Sequence, residues 1–141
     1  MEINNDPQQL DIALIHRFLS EESAWAKGIP LEKVKQSIAH SLCFGAYENG
    51  QQIAFARVVS DFTTFAYLMD VFVLKEHRGR GLSRQLMTAV KAHPQLQGLR
   101  RFLLASSDAR GLYQKFGFQA LSKPEIMMEI NVPDIYQRPS T

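Results

Sequence analysis

The chain has 141 residues, 45% of them apolar, and carries 16 Lys and Arg against 14 Asp and Glu. That length suits one domain over residues 1–141 with its own core, while a formal charge of +2 and a sequence pI of about 8.8 fall short of the basic face that nucleic-acid binding requires. A lone cysteine, Cys43, excludes an internal disulfide, and no run approaches the ~18 apolar residues of a membrane span.

The N-terminal Met1-Glu-Ile-Asn-Asn-Asp lacks the basic and apolar stretches of a signal peptide, which points to a soluble, cytoplasmic protein. Residues 2–4 read as a short strand. Asp6-Pro7-Gln8-Gln9 reads as a helix start, with an acidic cap, Pro in the first turn and Gln three after the cap. Leu10, Leu14 and Phe18 mark that helix's apolar face, widened by Ile15 and Leu19. After a bent connection over 20–28, a second helix starts near Pro30 and turns Leu31, Val34 and Ile38 inward. Cys43, between Leu42 and Phe44, reads as a buried thiol. Tyr47-Glu-Asn-Gly50 predicts a hairpin turn between strands at 42–48 and 52–59, and Asp61 to Thr64 a second turn.

Residues 65–74 are almost all apolar, the mark of a central strand covered on both sides. Strict alternation puts Phe65, Tyr67, Met69, Val71 and Val73 on one face and Ala66, Leu68, Asp70, Phe72 and Leu74 on the other. A helix follows over about 81–93, with Leu82, Leu86, Ala89 and Val90 inward and Pro94 as its stop. Residues 101–106 predict another strand buried on both sides. Ala109 to Phe116 predicts a short helix halted by Gly117, and two strands near 117–121 and 125–132 close the pattern. The order β-α-α-β-β-β-α-β-α-β-β implies an α/β fold with a mixed sheet between helical layers.

The stretch Val71-Phe-Val-Leu-Lys-Glu-His77-Arg78-Gly79-Arg80-Gly81-Leu82-Ser83 is the most informative. An apolar strand breaks into a turn of two arginines and two glycines, then an amphipathic helix begins. Glycines let backbone N–H groups approach an anion, and the helix N-terminus adds partial positive charge. The bare pattern is also that of any basic strand-to-helix turn, since it lacks the Lys-Ser/Thr ending of a Walker loop and the spacing of a dinucleotide fingerprint. A second motif, Ala109-Arg-Gly-Leu-Tyr113-Gln-Lys-Phe-Gly117-Phe118, sets a tyrosine on a short helix just before a glycine stop.

The two motifs, about 30 residues apart and in this order, resemble the GNAT superfamily of acyl-CoA-dependent N-acetyltransferases. The first is similar to its Arg/Gln-x-x-Gly-x-Gly/Ala signature, with Arg78 at the head, Gly81 in the middle and Ser83 last. The second is similar to its Ala-x-x-Leu-Tyr-x-x-x-Gly-Phe element. The resemblance is strong over 65–120 and rests on element order alone over 1–64. It implies a three-layer α-β-α fold with a mixed, splayed central sheet, and acetyl-CoA as acetyl donor with no metal. It implies that backbone N–H groups of Arg78, Gly79, Arg80, Gly81, Leu82 and Ser83 hold the pyrophosphate, and that strand backbone around Phe72 and Val73 meets the pantetheine arm. It also implies that the tyrosine at Tyr113 protonates the departing thiolate. Ser83 stands where Gly or Ala is commoner, and Ser106 where many relatives carry Asn, so that a hydroxyl replaces an amide contact to the cofactor.

The implied reaction is direct attack of an amine on a thioester, and an alkyl amine is protonated at neutral pH, so a base is needed. Asp70 is the candidate, the only ionisable side chain within 65–74; pairing with an arginine or backbone is its alternative reading. Phe18, Trp25, Phe62, Phe65 and Tyr67 are candidate walls for the acceptor, although aromatics of this kind also serve as core. Glu21, Glu22 and Asp61 are acids that could meet a cationic amine. His16 and His40 have no metal-ligand spacing around them. The acceptor expected is a small-molecule or peptide amine, with no nucleic acid or membrane partner, and the chain a monomer or homodimer. The rival reading is a non-catalytic acyl-CoA-binding module.

Overall fold

The computed structural model describes residues 1–138. Five strands form one sheet in the order β1-β2-β3-β4-β5: β1 Glu2–Asn4, β2 Leu42–Glu48, β3 Gln51–Ser60, β4 Phe65–Val73 and β5 Arg101–Leu104. The first four are antiparallel neighbours, and β5 pairs parallel to β4. Helices α1 (Ile12–Arg17) and α2 (Leu31–Ala39) cover one face, and α3 (Leu82–Ala92) and α4 (Arg110–Gln114) the other. This is the three-layer mixed-sheet architecture expected.

Each face has its own core. Phe44, Ala54, Ala56, Val58 and Leu68 meet Leu86, Met87 and Val90 of α3. On the other side Cys43, Phe55 and Phe72 meet Ile15, Phe18, Val34 and Ile38. Alternation along β2 and β3 sorts these residues, as a pleated strand with a layer on both faces requires.

The first helix begins later than its sequence signal. Asp6 does cap a turn, accepting from Gln8 N at 2.9 Å, but that turn is a 3₁₀ turn over Pro7–Gln9. The chain then restarts, and Asp11 caps α1 through Leu14 N at 3.1 Å. Gln52 ties this junction to β3 by accepting from Asp11 N at 2.8 Å. In α2, Val34 and Ile38 are buried as expected, while Leu31 at the first turn is exposed, because only the later turns reach the sheet.

Three further expectations are corrected. Strict alternation along β4 fails: the pairs Phe55↔Phe72 and Arg57↔Met69 require one extra residue in β4, a bulge at which Asp70 takes a left-handed φ of 54°. Beyond it the faces exchange. Val71 and Val73 join the core of Ala66 and Leu68, and Phe72 and Leu74 join that of Phe55. β5 ends at Leu104 and is half-buried throughout, since it is an edge strand with one neighbour. The two closing strands at 117–121 and 125–132 do not form. From 119 to 131 every residue is exposed, and the backbone hydrogen bonds there are local turns, Ile126 N to Lys123 O and Met127 N to Pro124 O. An alternating apolar run becomes a strand only where a ladder partner accepts it.

Candidate functional site

Pairing of β4 with β5 stops at Leu68↔Leu104. β4 continues to Val73 while the chain after β5 turns away through Ala105–Asp108, and the two diverge around a cleft of about 1250 Å³. Most of the residues singled out from sequence line it: Asp70, Phe72, Val73, Arg78, Gly79, Gly81, Leu82, Ser83, Ser106 and Tyr113.

At one end lies the loop into α3. Gly79 and Gly81 have φ of 78° and 76°, left-handed values that cost other residues roughly 1–2 kcal/mol. A Cβ at either would meet nothing within 4 Å, so backbone conformation rather than crowding demands glycine. Gly81 is the N-cap of α3 and no side chain caps the helix. Its first-turn N–H groups therefore face the cleft without side-chain acceptors, the arrangement that binds anions. The arginines are held by the protein. Arg78 Nε donates to Val73 O at 3.0 Å, bracing the loop against the end of β4. Arg80 lies outside the cleft wall, paired with Glu48 of the β2–β3 hairpin and 2.8 Å from His77 Nδ1. Its hydrogen bond and charge hold the Glu48 carboxyl below the usual range.

At the other end Asp70 is the centre of a network. The bulge turns its carboxylate toward Arg57, whose Nε donates to Oδ2 at 2.9 Å, with both side chains about nine-tenths buried. Oδ1 accepts from Trp25 Nε1 at 2.8 Å. Arg57 also reaches Ser41 Oγ at 3.0 Å and Met69 Sδ at 3.4 Å. The arginine-pairing alternative for Asp70 is thus what the geometry holds, and both carboxylate oxygens already accept a hydrogen bond. Cys43, beneath this network, is buried, and burial pushes its thiol up to about 12.

Tyr113 stands on α4 between the two ends, 8% exposed and edge-on to Phe118 with centroids 6.2 Å apart. Burial, then the charge of Asp108, raises its phenol above the ordinary value. Its hydroxyl has no hydrogen-bond partner among the described residues, so its proton is available to a ligand. Ser106 Oγ accepts from Ala109 N at 2.9 Å and starts α4, which leaves the hydroxyl hydrogen to donate.

Of the aromatics named from sequence, Phe18, Trp25 and Tyr67 line the cleft; Phe62 and Phe65 do not. Phe18 stacks on Phe72 at 4.0 Å, which fixes one wall. Glu22 lines the cleft. Asp61 instead caps its own turn, accepting from Thr63 N, Thr64 N and Phe65 N, and these bonds hold its carboxyl far below the usual range. Sequence reasoning missed Arg57, Glu129 and Asn131. A single charge within the apolar run of β3 was a readable sign of Arg57, whereas nothing local marks Glu129 and Asn131, which the C-terminal segment carries back to the cleft. No group of three or more metal-ligating side chains occurs among the described residues, and no helix there is long and apolar enough to cross a membrane.

A family model described as an acetyltransferase (GNAT) domain matches residues 39–120. A candidate acetyltransferase of Gibberella zeae is 30% identical over 135 residues, covering 80% of this chain and 75% of that one. A crystal structure from Xanthomonas campestris pv. campestris, described as a candidate acetyltransferase of the GNAT family, is 58% identical. It has a TM-score of 0.96, with 97% of this chain and 96% of that chain covered. A structure from Clostridium acetobutylicum, described as that of a predicted acetyltransferase with acetyl-CoA, shares the fold at 19% identity with a TM-score of 0.67, covering 92% and 96% of the two chains.

Proposed function

The chain belongs to the GNAT family of acetyltransferases, and from that premise we propose that it moves an acetyl group from acetyl-CoA to a primary amine, on a small molecule or a peptide. The observation that carries this reading is the polarity of the cleft. One end presents His77, Arg78, left-handed glycines and an uncapped helix start; the other presents Glu22 and Glu129, with Asp70 there paired to Arg57. An anionic donor suits the first end and a cationic amine the second.

When bound, the donor supplies an acyl carbon activated as a thioester. The roles of the chain follow from its groups. Backbone N–H groups from Gly79 to Ser83 hold the pyrophosphate, with Gly79 and Gly81 allowing close approach, while the Arg78 N–H already donates to Lys75 O. The open edge of β4 at Phe72 and Val73 lies beside the arm, and the Ser106 hydroxyl offers it a donor. Trp25 and Phe18 narrow the acceptor end and limit water. Glu22 and Glu129 attract the ammonium form. Asp70 takes the surplus proton through a water, on a lone pair left free by Arg57 and Trp25. Tyr113, kept protonated by burial, donates toward the sulfur.

The test has two stages. Coenzyme A should raise the melting temperature, since a ligand at 100 times its Kd adds about 2.7 kcal/mol, and ATP should raise it less. Acetyl-CoA with a panel of primary amines should then release free CoA thiol. Stabilisation by CoA without thiol release from any amine would overturn the transfer reading, and no stabilisation would overturn the cradle.

A further inference from the structure

The segment after α4 supplies one wall of the cleft's acceptor end. It passes the start of β5, where Arg101 Nη1 reaches Met127 Sδ at 3.2 Å. It then carries Glu129 and Asn131 along the cleft. Beyond them lies a 3₁₀ turn, Ile135–Gln137, whose Tyr136 is half-buried against the core of Ile15 and Val34. The backbone of this turn rests on the connection between α1 and α2. A Cβ built on Gly28 would stand 2.7 Å from Tyr136 O and 3.3 Å from its carbonyl carbon. Of the eight glycines, this is the one at which a Cβ would collide with backbone. The same connection brings Glu22 and Trp25 into the cleft. Its shape is pinned by Ser23, 2% exposed, whose Oγ donates to Leu19 O at 2.6 Å and accepts from Ala26 N at 3.1 Å. Two walls from distant parts of the chain therefore meet where Tyr136 sits on Gly28.

We infer that residues 127–136 are a strap joined to the α1–α2 connection, and that it closes the acceptor end to everything but a small free amine. The inference rests on the acetyl-transfer reading and narrows its acceptor. A peptide lying across β4 would need the trough open where Tyr136 meets Gly28. An amine entering end-on needs only the space between Glu22 on one wall and Glu129 on the other, with Tyr67 and Met69 beneath. Charge narrows the class further. Among the described residues, His77 and Arg78 are the only basic side chains lining the cleft, and both belong to the loop before α3. Arg57 is taken up by Asp70. Nothing at the acceptor end can meet a carboxylate, and an unpaired charge is costly to bury. The acceptor is therefore a small primary amine with no carboxylate beside its nitrogen.

Butylamine, its α-carboxylated form 2-aminopentanoate, and a blocked hexapeptide with one central lysine are offered to the full chain with acetyl-CoA. The kcat/KM should favour butylamine over each of the others by about tenfold or more. Gly28→Val and Tyr136→Ala each loosen the strap and touch no group that meets the donor. Either should raise KM for butylamine about tenfold, narrow the disadvantage of the peptide, and leave KM for acetyl-CoA within about twofold. Wild-type turnover of the peptide or of 2-aminopentanoate equal to that of butylamine overturns the proposal, and so do two folded variants with unchanged selectivity. Hydrogen exchange reads the strap apart from the chemistry. The amides of Ile135 and Gln137, which donate to Val132 O and Asp134 O, should be protected in the wild type, and free exchange there overturns the strap. Should CoA bind while no amine releases thiol, the transfer reading and the acceptor class fall together, and the exchange result still decides the strap.

Discussion

Replacing Asp70 by Asn tests the network at the acceptor end, and the structure supplies the magnitude. Asn tolerates a left-handed φ about as well as Asp, so the bulge at 54° adds no backbone strain. Asn also keeps an acceptor for Trp25. What is lost is the charge facing Arg57, whose side chain is 11% exposed against 7% for Asp70. Removing one partner of a buried pair costs about 3–5 kcal/mol. Arg57 retains Ser41 and Met69 as neighbours, which places this case near the lower end, at about 3 kcal/mol. For a chain of this size that is a fall in Tm of roughly 10 °C. Arg57→Met in the same background removes the orphaned cation, and the double variant should recover a coupling of about 1–3 kcal/mol. Calorimetry on wild type, both single variants and the double variant gives the cycle. An Asp70→Asn Tm within a degree of wild type, or strictly additive losses, would refute the buried ion pair, and with it the account of how the bulge is held.

Tyr113→Phe should lower kcat by about ten- to a hundredfold with little change in Tm, as expected for loss of a general acid; unchanged turnover removes the phenol from the reaction. Because burial raises its pKa, Tyr113 stays protonated up to and beyond its ordinary value near 10, so kcat should show no alkaline decline from this residue below about pH 10. A wild-type decline near pH 9 that disappears in Tyr113→Phe contradicts the raised phenol. Gly81→Ala should cost roughly 1–2 kcal/mol of stability through its φ alone but weaken CoA binding by tenfold or more in titration calorimetry, since the added methyl points into open space at the cradle. Equal CoA affinity would show that the loop does not hold the diphosphate. Cys43, with its thiol pushed up to about 12, should resist a disulfide reagent at pH 8 in the native state and react at once in denaturant. Rapid stoichiometric labelling of the native protein would contradict its burial.

The amino-acid sequence determines what is written in neighbouring residues. The Asn49-Gly50 hairpin, the glycines before α3 and the apolar stripes of α2 and α3 depend on local dihedral limits and short-range periodicity. They stand close to where the residue pattern puts them. The glycine turn before α3 and the placing of Tyr113 on α4 were readable for the same reason, each being a short motif at the end of one element. What depends on a distant partner was decided by the tertiary structure alone. The bulge at Asp70 exists because β3 and β4 pair with one residue in excess, and it reverses the faces of Val71, Phe72 and Val73. Arg57 becomes the partner of Asp70 only across that pairing, and Glu129 enters the cleft from a segment far along the chain. The runs 117–121 and 125–132 have strand composition, but composition cannot supply a ladder partner. A strand needs an edge to bond to, and which edge is available is settled by the packing of the whole fold.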